Sequence, residues 1–326
     1  MGQSLSNYSQ FFPPKPTFTE ANIPDLKDKV YLVTGANTGV GKDVARILYS
    51  KNAKVWIAAR SEEKTNKAID EIKKSSPGST GSLGFHHLDL ADLNSVKKSA
   101  EKFIASESKL HVLFSNAGVQ SPDAAAKTAQ GHEIHVGVNC LGTFLFTKLL
   151  TPLLANTVKT ADPGTVRVVW VSSFVDLVGD KRTGLPLDKM DFLKINSPLD
   201  RYAYSKAGNY LHAVEYARRH KEDGIICVPL NPGNLASDLY RDQAGIFKLF
   251  VSLIVHPVVN GAYTELFAGL TPTISLQNTG AWVIPFGRLS TIRKDLEDVL
   301  KTEEQGGTDA ARKWWSWSEE QVKPYE

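Results

Sequence analysis

The chain has 326 residues, a length that suits one α/β domain with terminal extensions. Lys and Arg number 38 against 35 Asp and Glu, and the net charge of +3 excludes a protein that binds nucleic acid or acidic lipid mainly through its charge. Hydrophobic residues make up 42% and charged residues 22% of the chain, values that argue against extensive disorder.

The first segment, residues 1–28, carries prolines and aromatic residues without a helical or strand period. It lacks the apolar core of a signal peptide, and no later run approaches the roughly 20 apolar residues that a membrane-spanning helix needs. Gly2 and Ser6 fit the N-myristoylation pattern, although a flexible start also matches so short a pattern by chance. A single acyl chain would attach the protein only weakly to a membrane, because no basic cluster lies nearby.

From Lys29 onward, short β-branched runs alternate with segments of helical composition. The predicted strands are 30–34, 54–59, 84–88, 111–115, 166–172 and 225–230, and the predicted helices are 41–51, 62–74, 93–107, 129–156 and 203–221. Strands that are apolar at nearly every position are buried on both faces, and their alternation with helices indicates βαβ units. The sequence therefore predicts a three-layer α/β fold with a doubly wound parallel sheet, in a single domain over residues 29–290.

Three further segments fall outside this rhythm. Residues 176–199 are rich in Gly, Pro and charge and indicate a surface loop, whereas 238–273 is an apolar stretch interrupted by proline. The tail, residues 291–326, predicts two short amphipathic helices. We expect its three neighbouring tryptophans to dock on the domain surface rather than on a partner.

The cysteines and histidines show no metal-binding pattern. Cys140 and Cys227 belong to no CxxC or zinc-ligand arrangement, so we expect no metal, no structural disulfide and a reducing, cytoplasmic compartment. His132 and His135 do not form HExxH and are expected on an ordinary helix face. The sequence has no GxSxG motif, which argues against a serine hydrolase.

The first predicted strand runs into a glycine-rich loop, TGANTGVG at 34–41, and a predicted helix follows. Glycines in this context allow a tight turn and close approach of the backbone to a pyrophosphate, and the helix N-terminus offers its N–H groups to the phosphates. The spacing is not that of the nucleoside-triphosphate loop GxxxxGK[ST], because Ala36 and Asp43 stand at required positions. We therefore predict a dinucleotide site here.

The end of the second predicted strand bears on which dinucleotide binds. The strand ends Ala58-Ala59-Arg60, where an NAD site generally has an acid for the ribose hydroxyls. A guanidinium instead suits a 2′-phosphate through bidentate, charge-assisted hydrogen bonds. The sequence favours NADP(H) over NAD(H), the alternative being that Arg60 is a surface residue that starts the next loop.

Tyr202 and Lys206 lie at i and i+4 of a predicted helix and share one face, whereas Tyr204 points elsewhere. A tyrosine with a pKa of about 10 is a poor acid at neutral pH, and a neighbouring ammonium lowers that pKa and brings proton transfer into range. The YxxxK pattern is common, and a solvated helix face is the default interpretation when it occurs alone.

Together these motifs make the chain similar to the short-chain dehydrogenase/reductase family over about residues 29–285, most of all to its retinol-dehydrogenase and WW-domain-oxidoreductase-like branch. The resemblance implies cofactor contacts from Gly35, Asn37, Thr38, Gly39, Val40, Gly41, Arg60, Asp89, Leu90, Asn116, Ala117, Gly118, Tyr202, Lys206, Pro232, Gly233 and Ser237. It implies catalysis by Ser173, Tyr202, Lys206 and Asn139, the last of which would hold a water in a proton relay. The chain departs from the family pattern in its Ser115 and Ser237 and in its long segment between Ser173 and Tyr202.

The resemblance implies an NADP(H)-dependent Rossmann enzyme that interconverts a carbonyl and an alcohol, acting as a reductase. Apolar and aromatic residues in the expected lid, about 238–260, favour a small apolar or aromatic substrate, although they would equally suit a membrane surface or a second subunit. Monomer and homodimer are both compatible with the sequence. The alternative function is a catalytically idle NADP(H)-binding Rossmann protein that signals or scaffolds through its termini.

Overall fold

A computed structural model describes residues 8–175, 179–236 and 255–326. Its strands are β1 (Val30–Thr34), β2 (Lys54–Ala59), β3 (Ser82–His87), β4 (Val112–Ser115), β5 (Arg167–Val171), β6 (Ile226–Leu230), β7 (Trp282–Ile284) and β8 (Arg288–Ser290). They form one sheet in the order β3-β2-β1-β4-β5-β6-β7-β8. Every neighbouring pair is parallel except β7 and β8, which are antiparallel. The predicted doubly wound parallel sheet is confirmed.

Helices cover both faces of this sheet. They are α1 (Gly39–Ser50), α2 (Glu62–Ser75), α3 (Leu93–Ser106), α4 (Thr143–Val158), α5 (Pro198–Arg219), α6 (Val258–Leu270) and α7 (Ala310–Val322). Helices α1, α2 and α6 pack on one face, and α3, α4 and α5 pack on the other. In β1, Leu32 faces the second layer and Val33 the first, and both are fully buried. Burial on both faces explains why the strands are continuously apolar in sequence.

The strand order reverses between β1 and β4, and this position determines where a ligand can bind. The crossovers from β1 run outward to β2 and β3, whereas those from β4 run the other way to β5 and β6. A crevice therefore opens at the carboxyl ends of β1 and β4, the usual ligand site of open α/β sheets. The candidate residues in 35–41 and 116–118 follow these two strand ends.

Three elements were absent from the sequence prediction, namely β7, β8 and α6. The two strands have only three residues each, too few to show a period, and β7 pairs with β6 at a single register position. Helix α6 is buried over most of its length, so it has no polar face to produce a helical period. Its Gly269 allows close packing, because a Cβ there would lie 2.6 Å from the ring of Phe114.

The two helix starts that differ most from the prediction do so for local reasons. Helix α5 begins at Pro198 rather than 203, because the Ser197 hydroxyl accepts a hydrogen bond from the Asp200 N–H and proline fits the first turn. The predicted helix 129–156 begins late, as a π-helical segment, Val136–Gly142, that continues into α4. The Glu133 carboxylate accepts hydrogen bonds from the N–H groups of His135 and of Val136, the first residue of this segment. These hydrogen bonds end the preceding turn.

The C-terminal helix α7 docks on α5, as expected from its tryptophans. Trp314 is fully buried and its indole N–H donates to the Gly208 carbonyl at 3.1 Å, whereas Trp317 is only partly covered. The segment predicted as a surface loop also contributes to this contact, because Phe192 is fully buried and stacks on Trp314 with ring centroids 6.2 Å apart. That segment is therefore partly a packing element, and its residues 176–178 lie outside the described ranges.

Within the described ranges, one continuous helical stretch, Val136–Val158, is long and apolar enough to cross a membrane by length and composition alone. Of its most apolar window, 72% is buried inside the protein. Its apolar side chains, such as Leu145 and Phe146, already pack in the core beside α3, so this stretch is a core helix of the α/β domain.

Candidate active site

The glycine-rich loop after β1 is shaped for close approach of a ligand to its backbone. Gly35 and Gly39 have φ values of +68° and +58°, in the left-handed region that favours glycine. A Cβ at Gly41 would lie 2.5 Å from the Asn116 side chain, so glycine is needed where α1 passes β4. Nothing lies within 4 Å of a Cβ at Gly39, and the Thr38 side chain makes no capping hydrogen bond to α1. The first N–H groups of α1 therefore fit the phosphates of a dinucleotide.

The end of β4 holds this loop in place. The Asn116 amide donates to the Thr34 carbonyl at 2.7 Å, and the Ala117 N–H donates to the Thr34 hydroxyl at 2.9 Å. The two strand ends that flank the crevice are thus joined by hydrogen bonds through both side chain and backbone. Gly118 comes next and is exposed. The NAG motif accordingly stabilises the floor of the crevice.

The residues expected to contact the adenosine half lie at the ends of β2 and β3. Arg60 is exposed directly after β2, and no carboxylate in the described ranges pairs with its guanidinium. Asp89 is partly exposed and uses one carboxylate oxygen to accept the Ala91 N–H at 3.0 Å, while Leu90 is buried. The loop residues expected beside the phosphates, Asn37, Thr38 and Val40, are all partly or fully exposed.

Lys206 is almost completely buried, with 4% of its surface exposed. Its ammonium donates to the Val171 carbonyl at 3.2 Å and lies 6.0 Å from the centre of the Tyr202 ring. A Cβ at Gly118 would lie 3.1 Å from Lys206 Nζ, so the ammonium sits directly beneath the end of β4. Burial lowers the pKa of Lys206 to about 8, and the nearby Cys140 thiol and Glu265 carboxyl partly offset this effect.

The two tyrosines of the YAYSK segment face different surroundings, as predicted. Tyr202 is partly exposed and faces the Lys206 ammonium. Tyr204 instead packs near Phe192, with ring centroids 6.1 Å apart, and burial raises the pKa of its phenol. Of the two phenols, the Tyr202 ring therefore lies beside the cation.

Asn139 links the crevice to α5. Its Oδ1 accepts the Val119 N–H at 2.7 Å, and its amide donates to the Val119 carbonyl at 3.0 Å and to the Ser205 hydroxyl at 2.9 Å. The Ser205 hydroxyl donates in turn to the Tyr202 carbonyl at 2.7 Å. Both amide hydrogens of Asn139 are thus used within the protein, and a water held there would have to donate to one of its oxygens.

The two serines after β5, Ser172 and Ser173, differ in their burial and contacts. The Ser172 hydroxyl is buried and donates to the Lys206 carbonyl at 2.6 Å, which ties β5 to α5. Ser173, the next residue, is partly exposed at the crevice. The structure therefore leaves Ser173 as the more accessible hydroxyl at the strand end, the one that the motif position indicates.

The turn after β6 forms the opposite wall. The Gly233 N–H donates to the Asn231 side chain at 3.0 Å, and Gly233 has a φ of +99°. A Cβ there would lie 3.1 Å from Pro285, so only glycine suits this close contact. Pro232 and Gly233 are both partly exposed. Ser237, most of the expected lid and Gly2 lie outside the described residues.

Sequence reasoning missed an acid beneath the site. Glu265 on α6 is fully buried, and within the described part of the chain neither of its carboxylate oxygens has a hydrogen-bond partner. Burial raises the pKa of Glu265 to about 8, and the charge of Lys206 works against that rise. An acid in the middle of the apolar run TELFAGL was the available signal.

Of the two histidines expected on a helix face, His135 does lie at the start of the helical stretch. His135 is fully buried, with Nδ1 2.6 Å from the Glu133 carboxylate and Nε2 3.0 Å from the Ser121 N–H. His132 precedes the helical stretch. In residues 8–175, 179–236 and 255–326, no three His, Cys, Asp or Glu side chains converge in a metal-binding group.

Comparisons with known proteins agree with this geometry. Residues 29–183 match the family model described as short chain dehydrogenase. The chain is 52% identical over 324 residues to the short-chain dehydrogenase/reductase bet4 of Neocamarosporium betae, covering 98% of this chain and 94% of the relative. It is 53% identical over 285 residues to the short-chain dehydrogenase/reductase sthC of Phaeosphaeria nodorum, covering 86% and 91%.

Solved structures show the same fold. An uncharacterized protein from Mycobacterium paratuberculosis is 25% identical with a TM-score of 0.67, over 94% of this chain and 97% of that chain. A short chain dehydrogenase from Shigella flexneri complexed with NADP is 20% identical with a TM-score of 0.59, over 79% and 97%. The relatives match over nearly their full length, and the chain is therefore a member of the short-chain dehydrogenase/reductase family.

Proposed function

We propose that this protein is an NADP(H)-dependent oxidoreductase that interconverts a carbonyl and an alcohol on a small apolar or aromatic molecule, acting in the cytosol as a reductase. The observation that carries the proposal is the buried Lys206 ammonium beside the Tyr202 ring, at the edge where the glycine loop and the NAG segment meet. A lysine so deeply buried is costly unless its charge has a use.

The residues present fit a nicotinamide dinucleotide. The loop 34–41 and the start of α1 would hold the pyrophosphate, and Asp89 and Leu90 would border the adenine. The exposed Arg60 guanidinium would bind a 2′-phosphate, which favours NADP(H) over NAD(H). The Shigella flexneri structure is an NADP complex, which agrees with this preference. When bound, the nicotinamide supplies a hydride to the carbonyl carbon or accepts one from the alcohol.

The chain's own residues would handle the proton. Tyr202 donates it to the substrate oxygen during reduction and accepts it during oxidation. The Lys206 ammonium, 6.0 Å from the centre of the Tyr202 ring, favours the phenolate. Ser173 donates a hydrogen bond to the substrate oxygen and stabilises developing negative charge there. Through Ser205, Asn139 connects Tyr202 to the segment after Gly118, where a water would return the proton from solvent.

The test compares Tyr202→Phe with Tyr204→Phe. NADPH consumption is measured with a panel of aromatic aldehydes, ketones and lipophilic alcohols, and NADPH binding is measured by fluorescence. We expect Tyr202→Phe to lose at least about a hundredfold in kcat/KM with unchanged NADPH affinity, because only the transferable proton is removed. Tyr204→Phe should remain active.

Near-normal activity of Tyr202→Phe would refute the assignment. NADPH binding by the wild-type protein without turnover of any panel member would instead favour the alternative of a catalytically idle, NADP(H)-binding scaffold.

A further inference from the structure

The N-terminal segment formed by residues 8–12 lies at the active-site edge, far from its place in the sequence. Polar side chains from three distant parts of the chain hold it there, at sequence separations of 221, 245 and 279 residues. Asn231 Nδ2 donates to Gln10 Oε1 at 2.9 Å, His256 Nε2 lies 3.2 Å from the Phe11 carbonyl oxygen, and Arg288 Nη2 donates to the Ser9 carbonyl at 2.8 Å.

These contacts place the segment beside the reacting groups. Asn231 directly precedes the Pro232–Gly233 turn that forms one wall of the site. The Phe11 ring packs against Phe174, the residue after Ser173, with ring centroids 4.7 Å apart and planes at 48°. The segment therefore bridges the carboxyl ends of β5 and β6, where the substrate oxygen must approach Ser173.

The docking of this segment is specified by more than apolar contact. Gln10 has only 1% of its surface exposed, and a buried amide is stable only when it is hydrogen-bonded. The three polar side chains that reach the segment are engaged in holding it. Phe11 and Phe174 are both partly exposed. Their two rings, rather than the polar side chains, are therefore the groups of this contact that a ligand near Ser173 can reach.

We propose that this segment places Phe11 in one wall of the substrate pocket, and that Phe11 with Phe174 selects a substrate that carries a planar aromatic ring next to its carbonyl. This inference rests on the proposed function and names the substrate class of the same site. Aromatic rings gain from edge and offset contacts that saturated rings of the same size do not make.

The chain offers a matched control one residue away. Phe12 is 52% exposed and its ring lies near Tyr8 rather than Phe174. Phe11→Ala, Phe11→Leu and Phe12→Ala are made in the full-length protein. Each is assayed with NADPH on aromatic aldehydes and on their saturated-ring counterparts, such as benzaldehyde and cyclohexanecarbaldehyde. NADPH affinity is measured in parallel.

We expect the wild-type enzyme to favour the aromatic member of each pair. Phe11→Ala and Phe11→Leu should lower the aromatic-to-saturated ratio of kcat/KM by about three- to tenfold, the range given by one aromatic contact, with NADPH affinity unchanged. Phe12→Ala should keep the wild-type ratio. The leucine variant retains apolar volume, so its loss of selectivity would report the ring itself.

Turnover with an unchanged ratio in both Phe11 variants would overturn this inference alone. Loss of NADPH binding in both would assign the segment to the fold and would overturn it as well. Absence of turnover by the wild-type enzyme would overturn the proposed function and this inference with it, so the two failures are distinguishable.

Discussion

At the residue scale, Lys206 and Glu265 make the proposed chemistry sensitive to pH. Lys206 must carry its charge to favour the Tyr202 phenolate, and its pKa is lowered to about 8 mainly by burial. The charged fraction of Lys206 therefore falls as the pH rises through about 8. We expect kcat/KM for reduction to fall over the same range, measured from pH 6 to 9.5.

Glu265→Gln tests whether Glu265 helps to set the pH at which kcat/KM falls to half of its plateau value. The Glu265 carboxyl raises the pKa of Lys206, so its removal should lower that pKa and move the fall in kcat/KM to lower pH. A structural role alone would reduce activity or stability without moving the midpoint. Identical pH profiles for the variant and the wild type would show that Glu265 does not act on Lys206.

Arg60 provides a second test at the same scale. A charge-assisted hydrogen bond contributes about 1.5–3 kcal/mol, so Arg60→Ala should raise the KM for NADPH about ten- to a hundredfold. The KM for NADH should change little, because NADH carries no 2′-phosphate. Equal effects on both cofactors would show that Arg60 does not read the 2′-phosphate.

The residues of the candidate site differ in how far sequence could predict them. Tyr202 and Lys206 are one helical turn apart, so their shared face follows from helix geometry alone. Glu265 carries no such local signature. Its relation to Lys206 exists only because α6 and α5 pack on opposite faces of the sheet near the same strand ends.

At the element scale, α7 is expected to stabilise the domain through its buried face, of which Trp314 is one member. Trp314→Ala should lower the free energy of unfolding by about 3–5 kcal/mol, because it removes a fully buried indole and its hydrogen bond to Gly208. Trp317→Ala should cost clearly less, because Trp317 is partly exposed. Urea unfolding of both variants provides the measurement, and equal losses would contradict the docking described above.

The helices and strands also differ in how clearly their local sequence predicts them. The strands β1 and β2 were predicted to the residue, because each is a short apolar run, rich in β-branched or aromatic residues, that starts beside a lysine and ends at the glycine loop or at Arg60. Helix α6 was missed, since neither glycine nor glutamate suggests a buried helix. Its Gly261 allows close contact with Leu235, and its Gly269 allows close contact with Phe114.

At the scale of the whole molecule, buried histidines should make the protein sensitive to acid. Burial lowers the pKa of His86 and His111 to about 4 and that of His212 to about 3, from 6.5. Below pH 6.5 these histidines bind protons in the unfolded chain but stay neutral in the folded protein. The free energy of unfolding therefore falls as the pH is lowered, by up to about 1.4 kcal/mol per histidine per pH unit. Glu265 acts in the opposite direction, because its pKa is raised to about 8 and its protonation stabilises the folded protein as the pH falls from 8 to 4.5. It is one group against three histidines.

The net expectation is a lower Tm at pH 4.5 than at pH 6.5, measured by calorimetry. His212→Gln should reduce this slope, because His212 is fully buried between aromatic rings at the contact of α7 with α5. The exposed His87 is the control, and His87→Gln should keep the wild-type slope. If the Tm of His212→Gln fell with pH as steeply as that of the wild type, His212 would not contribute to the acid sensitivity.

Local sequence determined the alternation of strands and helices, the glycine loop between β1 and α1, and the pairing of Tyr202 with Lys206. Each of these depends on residues close together in the chain, where backbone geometry alone relates one side chain to the next. Only the tertiary structure decided that residues 8–12 lie at the carboxyl ends of β5 and β6 and that Glu265 lies near Lys206. Such contacts join residues tens to hundreds of positions apart, and no local period records which distant surfaces will meet when the core packs.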